Sequence, residues 1–253
     1  MSRLPVIVGF GGYNAAGRSS FHHGFRRMVI ESLPAAERQE TLAGLAVLMK
    51  LVSVENDQYI DTDGQPLTLA DIEQRFGQQI LDGTLVRRIE KRYLDVDAAH
   101  WQKNLTVTGE AGKPFSFITL SKQLPEPLPS DWVVEPLNDT EVMVTVYDGC
   151  DLKVDSFRAL PVKSAGQLPS GLEPGELYAS RFHPRGLQLT IVAATDALRS
   201  VGIDWQTIAN SVEPDEVAVF ASSAMSQLDE NSFGGLMQSR LKGGRVSAKQ
   251  LAL

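Results

Sequence analysis

Apolar runs near the two ends of the chain frame a middle section in which apolar and polar positions alternate. Residues 4–10 contain Val6, Ile7 and Val8 in succession, which predicts a short buried strand. Residues 215–224, DEVAVFASSA, predict a second buried strand. Residues 187–200, LQLTIVAATDALRS, are apolar nearly all round and predict a buried helix that ends at Gly202. The two ends therefore have the pattern of an α/β core.

Two further helices are predicted from their start signals. Pro34 precedes a run of good helix formers, and proline suits the first turn of a helix. Thr68 is a good N-cap for a helix over residues 70–76, and Asp71 stands near the capping-box position. Gly77 is the predicted end of that helix.

The section from residue 105 to about residue 161 changes character. The segments NLTVTGEAGKPFSFITL and EVMVTVYDGCDLKV alternate apolar and polar positions, as half-buried strands do. Pro125, Pro127 and Pro129 separate them. This section is predicted to form β-hairpins or a β-arm.

Composition limits the class of protein. The chain has 253 residues, 43% hydrophobic and 22% charged, which is enough apolar material for a sizeable core. Its formal net charge of −7 argues against a global basic face for nucleic acid. The lone cysteine, Cys150, suggests a reducing compartment. The N-terminus lacks a signal-peptide pattern, and no apolar run approaches the ~18 residues of a membrane span. We therefore expect a cytoplasmic protein that binds neither membrane nor nucleic acid.

The glycines after the first apolar run raise the question of phosphate binding. A dinucleotide site needs the spacing G-x-G-x-x-G at the start of a helix, and from Gly9 the spacing gives Gly11 but then Asn14. No Gly-Lys-Ser/Thr of a P-loop is present. The favoured interpretation is a glycine turn that leaves a core strand, with no cofactor.

Metal binding has little support in the sequence. Zinc sites use ligands at spacings such as H-x-x-x-H or C-x-x-C, and neither occurs here. Two of the histidines are adjacent, so they cannot face one site from a helix. The histidines are His22, His23, His100 and His183. No metal site is predicted.

Cys150 is predicted to be an ordinary structural cysteine. It lies between Asp148 and Asp151, and nearby carboxylates raise a thiol pKa and suppress the reactive thiolate. No catalytic residue is assigned from the residues themselves.

A cluster of cations follows in the segment TLVRRIEKRYLDVDAAHW. Its members are Arg87, Arg88, Lys91 and Arg92, beside Tyr93. One interpretation is a solvated helix face whose charges pair with Glu90, Asp95 and Asp97. The other is a docking patch for an acidic partner.

Several segments together resemble one family. VIVGFGGYNAAG, SRFHPRGLQLTIVAATDALRSVGIDW, DEVAVFASSAMSQLDE and GGRVSAKQLAL stand in the order found in β-ketoacyl-acyl carrier protein synthases, the thiolase-like condensing enzymes. TLVRRIEKRYLDVDAAHWQK and AGQLPSGLEPGELYASRFHPRGLQL resemble a long bacterial subgroup with an extended N-terminal region. The resemblance implies an α/β, thiolase-like fold of alternating α and β layers. It assigns residues 1–20 to the first core strand and loop, 21–160 to a helical and β-arm insertion, and 161–253 to the continuing core.

The resemblance also implies a function. Family members condense an acyl primer, held on coenzyme A or carrier protein, with malonyl-carrier protein in fatty acid synthesis, as cytoplasmic homodimers without a cofactor. Their nucleophilic cysteine lies in a small-residue motif that Cys150 does not match, and none of the four histidines matches the family's catalytic histidines. The chain is thus expected to be the N-terminal portion of such an enzyme, inactive alone, with Arg87, Arg88, Lys91 and Arg92 as carrier-protein docking residues.

Two other functions stay open at this point. A non-catalytic relative of the condensing enzymes would only bind and dimerise. A nucleotide-dependent oxidoreductase would rest on the opening glycines alone.

Overall fold

The computed structural model describes residues 6–110, 113–181, 183–218, 220, 233–241 and 245–246. Its helices are α1 (His23–Met28), α2 (Ala35–Leu48), α3 (Leu69–Asp82), α4 (Arg185–Ser200), α5 (Trp205–Ala209) and α6 (Phe233–Leu241). Its strands are β1 (Tyr13–Asn14), β2 (Gly17–Arg18), β3 (Ser53–Glu55), β4 (Gln58–Ile60), β5 (Pro66–Leu67), β6 (Val86–Arg88), β7 (Ala99–Val107), β8 (Phe115–Leu120), β9 (Trp132–Pro136), β10 (Glu141–Val146), β11 (Cys150–Arg158) and β12 (Ser164–Gly166). Among these residues, no helix has the length and apolar character needed to cross a membrane.

The chain divides into two compact units. The first comprises Met1–Arg88 and Ser164–Leu253, and the second comprises Ile89–Lys163. The second unit lies mostly within the insertion predicted over residues 21–160. The predicted boundaries at residues 20 and 160 stay a prediction.

The core of the first unit forms between α2 and α3. Leu42 and Leu45 of α2 and Ile72 and Ile80 of α3 are almost completely buried and belong to one apolar cluster. Burial of each such side chain contributes about 1.5–3 kcal/mol. The prediction that Pro34 precedes a helix is confirmed, because α2 begins at the next residue.

The predicted start of α3 is confirmed, but its predicted end is wrong. The side-chain hydroxyl of Thr68 accepts a hydrogen bond from the backbone N–H of Asp71, and the Asp71 carboxylate accepts one from the backbone N–H of Thr68. The helix passes through Gly77 and ends at Asp82, with Gly83 as its C-cap. Ile80 explains this, because it is buried on the helix face that enters the core and keeps the chain helical beyond the glycine.

Arg27 ties α1 to the end of α3. Its Nε donates a hydrogen bond to Thr84 Oγ1 at 2.7 Å, and its second guanidinium nitrogen donates one to the carbonyl of Leu81 at 3.1 Å. Burial lowers the pKa of Arg27, and the carboxylate of Glu31 opposes this. The guanidinium therefore adds a charged donor to a carbonyl in the last turn of α3, where carbonyls lack the helical partner.

Residues 6–10 do not form the predicted strand. Their apolar side chains are exposed, with Ile7 at 89%, and the backbone N–H of Phe10 donates to Ser200 Oγ of α4 at 2.9 Å. A strand needs a hydrogen-bonded neighbour on at least one edge, and here the contact that the structure describes is a helix. The prediction failed because strand propensity does not supply that neighbour.

The predicted helix over residues 187–200 is confirmed as α4, but it is not buried all round. Val192 and Asp196 are its buried residues, because the described segments that cover it lie against one face. Of the strand predicted over residues 215–224, the structure describes residues 215–218 and 220, and none of these lies in a strand because Pro214–Glu216 form a single 3₁₀ turn. The rest of that segment, and most of the closing segment GGRVSAKQLAL, fall outside the described residues.

The second unit confirms the predicted β-arm. Strands β7 and β11 pair antiparallel over all nine residues of each, and we call this ribbon the stalk. Strands β8, β10 and β9 form a three-stranded antiparallel sheet, which we call the tip sheet. Val142, Val144 and Val146 of β10 form its core together with Cys150. The stalk spans about 30 Å at the usual rise per residue.

Candidate functional site

The four predicted docking cations fall on both units. Arg87 and Arg88 lie on β6 in the first unit, whereas Lys91 and Arg92 lie in the turn that opens the second. Of the two interpretations left open for this segment, the helix face is wrong, because Val86–Arg88 form a strand. Strand β6 forms instead because it pairs antiparallel with β12, placing Arg88 opposite Ser164.

Arg87 is engaged within the first unit. Its two terminal guanidinium nitrogens donate hydrogen bonds to the carbonyls of Gln167, at 3.1 Å, and Leu168, at 2.7 Å. These contacts fix the segment that follows β12. Arg87 therefore has a structural role, whether or not it also docks a partner.

Lys91 and Arg92 belong to local ion pairs. Lys91 Nζ lies 3.4 Å from Asp95 Oδ2, and Arg92 Nε lies 2.7 Å from Glu90 Oε2. The guanidinium of Arg92 also stacks 4.6 Å from the ring centre of Tyr93. The predicted pairing with Glu90 and Asp95 is thus present.

Asp97 has a partner that the sequence-based expectation did not include. Its carboxylate binds Lys163 at 2.7 Å. This partner lies far away in sequence, so the spacing of charges along one segment could not indicate it.

Cys150 lies inside the second unit with little exposed surface. Its side chain packs against Val142, Val144 and Val146. Burial raises the pKa of the Cys150 thiol, and the carboxylates of Asp151 and Asp131 raise it further. A thiol held in its neutral form is a poor nucleophile, so the prediction of an ordinary cysteine is consistent with this environment.

The histidines occupy four separate environments. Nε2 of His100 lies 2.8 Å from Asp155 Oδ1, and Nδ1 of His183 lies 2.8 Å from the hydroxyl of Tyr178. The ring of His22 contacts that of Phe10, and His23 is packed beneath the opening loop. Within the described part of the chain, no three His, Cys, Asp or Glu residues are grouped so that they could hold a metal ion.

The opening glycines serve close packing against α4. A Cβ on Gly9 would stand 2.8 Å from Ser200 Oγ and Val201 Cγ2. A Cβ on Gly11 would overlap the backbone of Asp196 and Ala197. Glycine is therefore required at these two positions because the backbone of the opening loop approaches α4 too closely for a side chain. This corrects the interpretation of the glycines as a simple turn after a strand.

Asp196 holds the loop that the glycines begin. Its carboxylate accepts hydrogen bonds from the backbone N–H of Gly12, at 3.0 Å, and from the hydroxyl of Ser20, at 2.6 Å. Arg18 Nε lies 3.6 Å away. A buried carboxylate at this place occupies a loop amide and repels anions, so the loop is unsuited to a phosphate. Sequence reasoning missed Asp196, although an acidic residue within the apolar run TIVAATDAL was a signal.

Comparison with known proteins gives close matches among both curated sequences and solved structures. No family model matches the chain. The chain is 66% identical over all 253 residues to the curated β-ketoacyl-[acyl-carrier-protein] synthase FabY of Pseudomonas aeruginosa. It also matches the crystal structure of the noncanonical ketosynthase FabY from P. aeruginosa with a TM-score of 0.88 and 65% identity. Each match covers 100% of this chain and 40% of the relative, so the chain spans two fifths of the length of the relatives it matches.

The two matches agree in identity and coverage, and the structural match extends over the whole chain. They confirm the resemblance drawn from the sequence and the α/β, thiolase-like fold class. The chain is therefore similar over its whole length to part of a β-ketoacyl-[acyl-carrier-protein] synthase.

Proposed function

We propose that this chain forms the N-terminal part of a condensing enzyme that joins an acyl primer to malonyl-carrier protein in fatty acid synthesis. The observation that carries the proposal is the 66% identity over every residue of the chain to a β-ketoacyl-[acyl-carrier-protein] synthase. The alignment extends over both compact units and is not confined to one motif.

The proposed reaction has two stages. A cysteine thiolate takes the acyl group from its carrier as a thioester, and the carrier thiol leaves. Malonyl-carrier protein then loses CO₂, and its carbanion attacks the thioester carbonyl, which yields β-ketoacyl-carrier protein and the free thiolate. Cys150 is unsuited to this step because its thiol is buried and its pKa is raised. The described residues of this chain therefore contribute framework and binding surface to the proposed reaction.

A chimera tests the proposal. This chain replaces the matching segment of the P. aeruginosa synthase, and condensation of acyl primer with malonyl-carrier protein is measured by CO₂ release and product mass. We expect turnover within about ten-fold of the parent, and we expect Cys150→Ala to leave it unchanged. A chimera that folds and dimerises without turnover would contradict the proposal and point to a non-catalytic binding subunit.

We also propose that the cationic segment docks an acidic carrier protein. Lys91 is 74% exposed and Arg92 is 45% exposed, and surface ion pairs such as theirs are worth only about 0.2–1 kcal/mol, so carrier carboxylates can replace them. Arg88 adds a third exposed cation, while Arg87 holds the neighbouring segment through its carbonyl contacts.

Charge reversal tests this docking role separately. In the chimera, Lys91→Glu should raise KM for malonyl-carrier protein about three-fold at low salt and leave kcat unchanged. The matched control is Lys113→Glu, because Lys113 is 75% exposed and also pairs with a nearby acid, Glu110. Equal KM values for the two variants would refute docking at this segment without affecting the condensing proposal.

The family resemblance further supports a cytoplasmic homodimer. The single cysteine of the chain suits a reducing compartment. Gel filtration of the chimera with light scattering tests the dimer, and a monomer that retains turnover would contradict it.

A further inference from the structure

The stalk of the second unit has a strand edge that is open for pairing. Among the described residues, β11 pairs with β7 along one edge, and no strand pairs with its other edge. Side chains along β11 are exposed, including Leu152 at 38% and Val154 at 37%. A two-stranded ribbon is marginally stable in water, and an open edge presents a row of N–H and C=O groups to a further strand.

The sequence of β11 is complementary to itself. The strand runs CDLKVDSFR from Cys150 to Arg158. Two copies of a strand paired antiparallel are related by a two-fold axis normal to the sheet, which places one residue opposite its own copy. With Val154 at the axis all nine residues overlap, and Lys153 of each copy lies opposite Asp155 of the other. Directly opposed residues share a face, so both pairs join opposite charges, and the Asp155 carboxylate would receive Lys153 in addition to its contact with His100 of the same stalk.

Neighbouring registers are less favourable. With Lys153 at the axis, Lys153 opposes its own copy and Asp151 opposes Asp155. With Asp155 at the axis, two aspartates meet directly. Like charges in opposed positions destabilise a sheet. A shift of two residues in either direction leaves only five residues overlapping.

The other edge of the stalk lacks this complementarity. Strand β7 reads AHWQKNLTV, with Lys103 and His100 as its ionisable residues and no acidic residue. A copy of β7 therefore offers no opposite charge in any register, and β11 is the favoured edge.

We propose that β11 pairs edge to edge with β11 of a second copy of this chain, with the two-fold axis at Val154. The two stalks then form one four-stranded sheet in the order β7-β11-β11-β7. Leu105, Leu152 and Val154 share one face of the stalk because Leu105 is paired with Leu152 and Val154 is two residues further along. Both copies contribute these side chains to one continuous apolar face. The proposal does not depend on the condensing activity.

Disulfide trapping tests the position of the axis. In a Cys150→Ala background of the 253-residue chain, Val154→Cys places two thiols on residues whose Cα atoms are about 4.5–5.5 Å apart, within the range of a disulfide. The matched control is Leu152→Cys, of nearly equal exposure, whose copies lie about 14 Å apart in this register. We expect mild oxidation to link Val154→Cys rapidly, and Leu152→Cys at least ten-fold more slowly. Equal rates, or no linkage of Val154→Cys, would overturn the proposal.

A charge exchange tests the register independently of oxidation. Either single variant, Lys153→Asp or Asp155→Lys, places two like charges opposite each other at both positions where residue 153 of one copy faces residue 155 of the other. It should therefore raise the dimer dissociation constant about ten-fold. The double variant Lys153→Asp/Asp155→Lys restores both pairs between the copies, although it removes the contact of Asp155 with His100 within each stalk, and should return the constant to within about three-fold of the parent. Sedimentation equilibrium measures these constants, and circular dichroism checks that each variant folds. A parent that stays monomeric at 0.5 mM, or a double variant no better than the singles, would refute the pairing.

Discussion

The buried imidazole of His23 makes the first unit sensitive to acid. The ring lies against Gly44 of α2, where a Cβ would overlap it, and near Gly17 of the opening loop. Among the described residues, neither ring nitrogen has a hydrogen-bond partner. Burial and the charge of Arg18 lower the pKa of His23 to about 4, while the backbone of Thr41 acts in the opposite direction.

The direction of the pH effect follows from proton uptake on unfolding. An unfolded chain binds the proton of His23 with the ordinary pKa of 6.5, whereas the folded protein resists it until about pH 4. The folded protein is therefore unaffected above pH 6.5 and loses stability as the pH falls from 6.5 towards 4. The full loss is about 3.4 kcal/mol, of which about 2 kcal/mol is reached at pH 5.

Removal of the titrating group should remove this loss. His23→Gln cannot take up a proton in this range. Between pH 8 and pH 5 its free energy of unfolding should therefore decrease less than that of the parent, and the difference between the two decreases should be about 2 kcal/mol. Urea unfolding followed by the NMR signals of α2 amides reports on the first unit alone. The matched control is the adjacent and exposed His22, replaced by Asn, which tolerates its left-handed backbone. An unchanged pH dependence in His23→Gln, or an NMR titration of His23 near 6.5, would refute the reasoning.

Three further substitutions test contacts of the first unit. Gly11→Ala should cost about 1–3 kcal/mol, seen as a lower Tm, because its Cβ would overlap the backbone of Ala197. Gly77→Ala should raise the free energy of unfolding by about 0.5–1 kcal/mol, seen as a higher Tm, because this helical glycine has room for a methyl group. Equal effects at the two glycines would contradict both expectations. Arg27→Met should cost about 1.5–3 kcal/mol in urea unfolding, since the carbonyl of Leu81 loses a charged donor. An Arg27→Met variant as stable as the parent would show that this buried contact is neutral.

Features set by neighbouring residues could be predicted from the sequence. The capping box of Thr68 and Asp71 closes over four residues, and the alternation in the β-arm reflects side chains on the two faces of local hairpins. Such signals fail only when distant contacts override them. Gly77 is an example, because the burial of Ile80 decides that the helix continues.

Features set by distant partners could not be predicted. Strand β6 exists because β12, which begins at Ser164, pairs with it. The contact of Arg87 with the carbonyl of Leu168 likewise joins residues 81 positions apart. Charge spacing identified the cations of this segment but could not show which of them the fold itself uses.

The opening glycines show what a motif needs before it indicates a ligand. Glycines are required wherever a backbone approaches a phosphate, and equally wherever it approaches a helix, so spacing alone does not separate the two cases. The charge on the facing element does separate them. Here the facing element is α4, which carries Asp196, 184 positions from Gly12 in the sequence. The Asp196 carboxylate accepts the hydrogen bond from the Gly12 N–H that a phosphate would need. A glycine loop and an acidic residue buried on an otherwise apolar helix are therefore best interpreted as one packing unit.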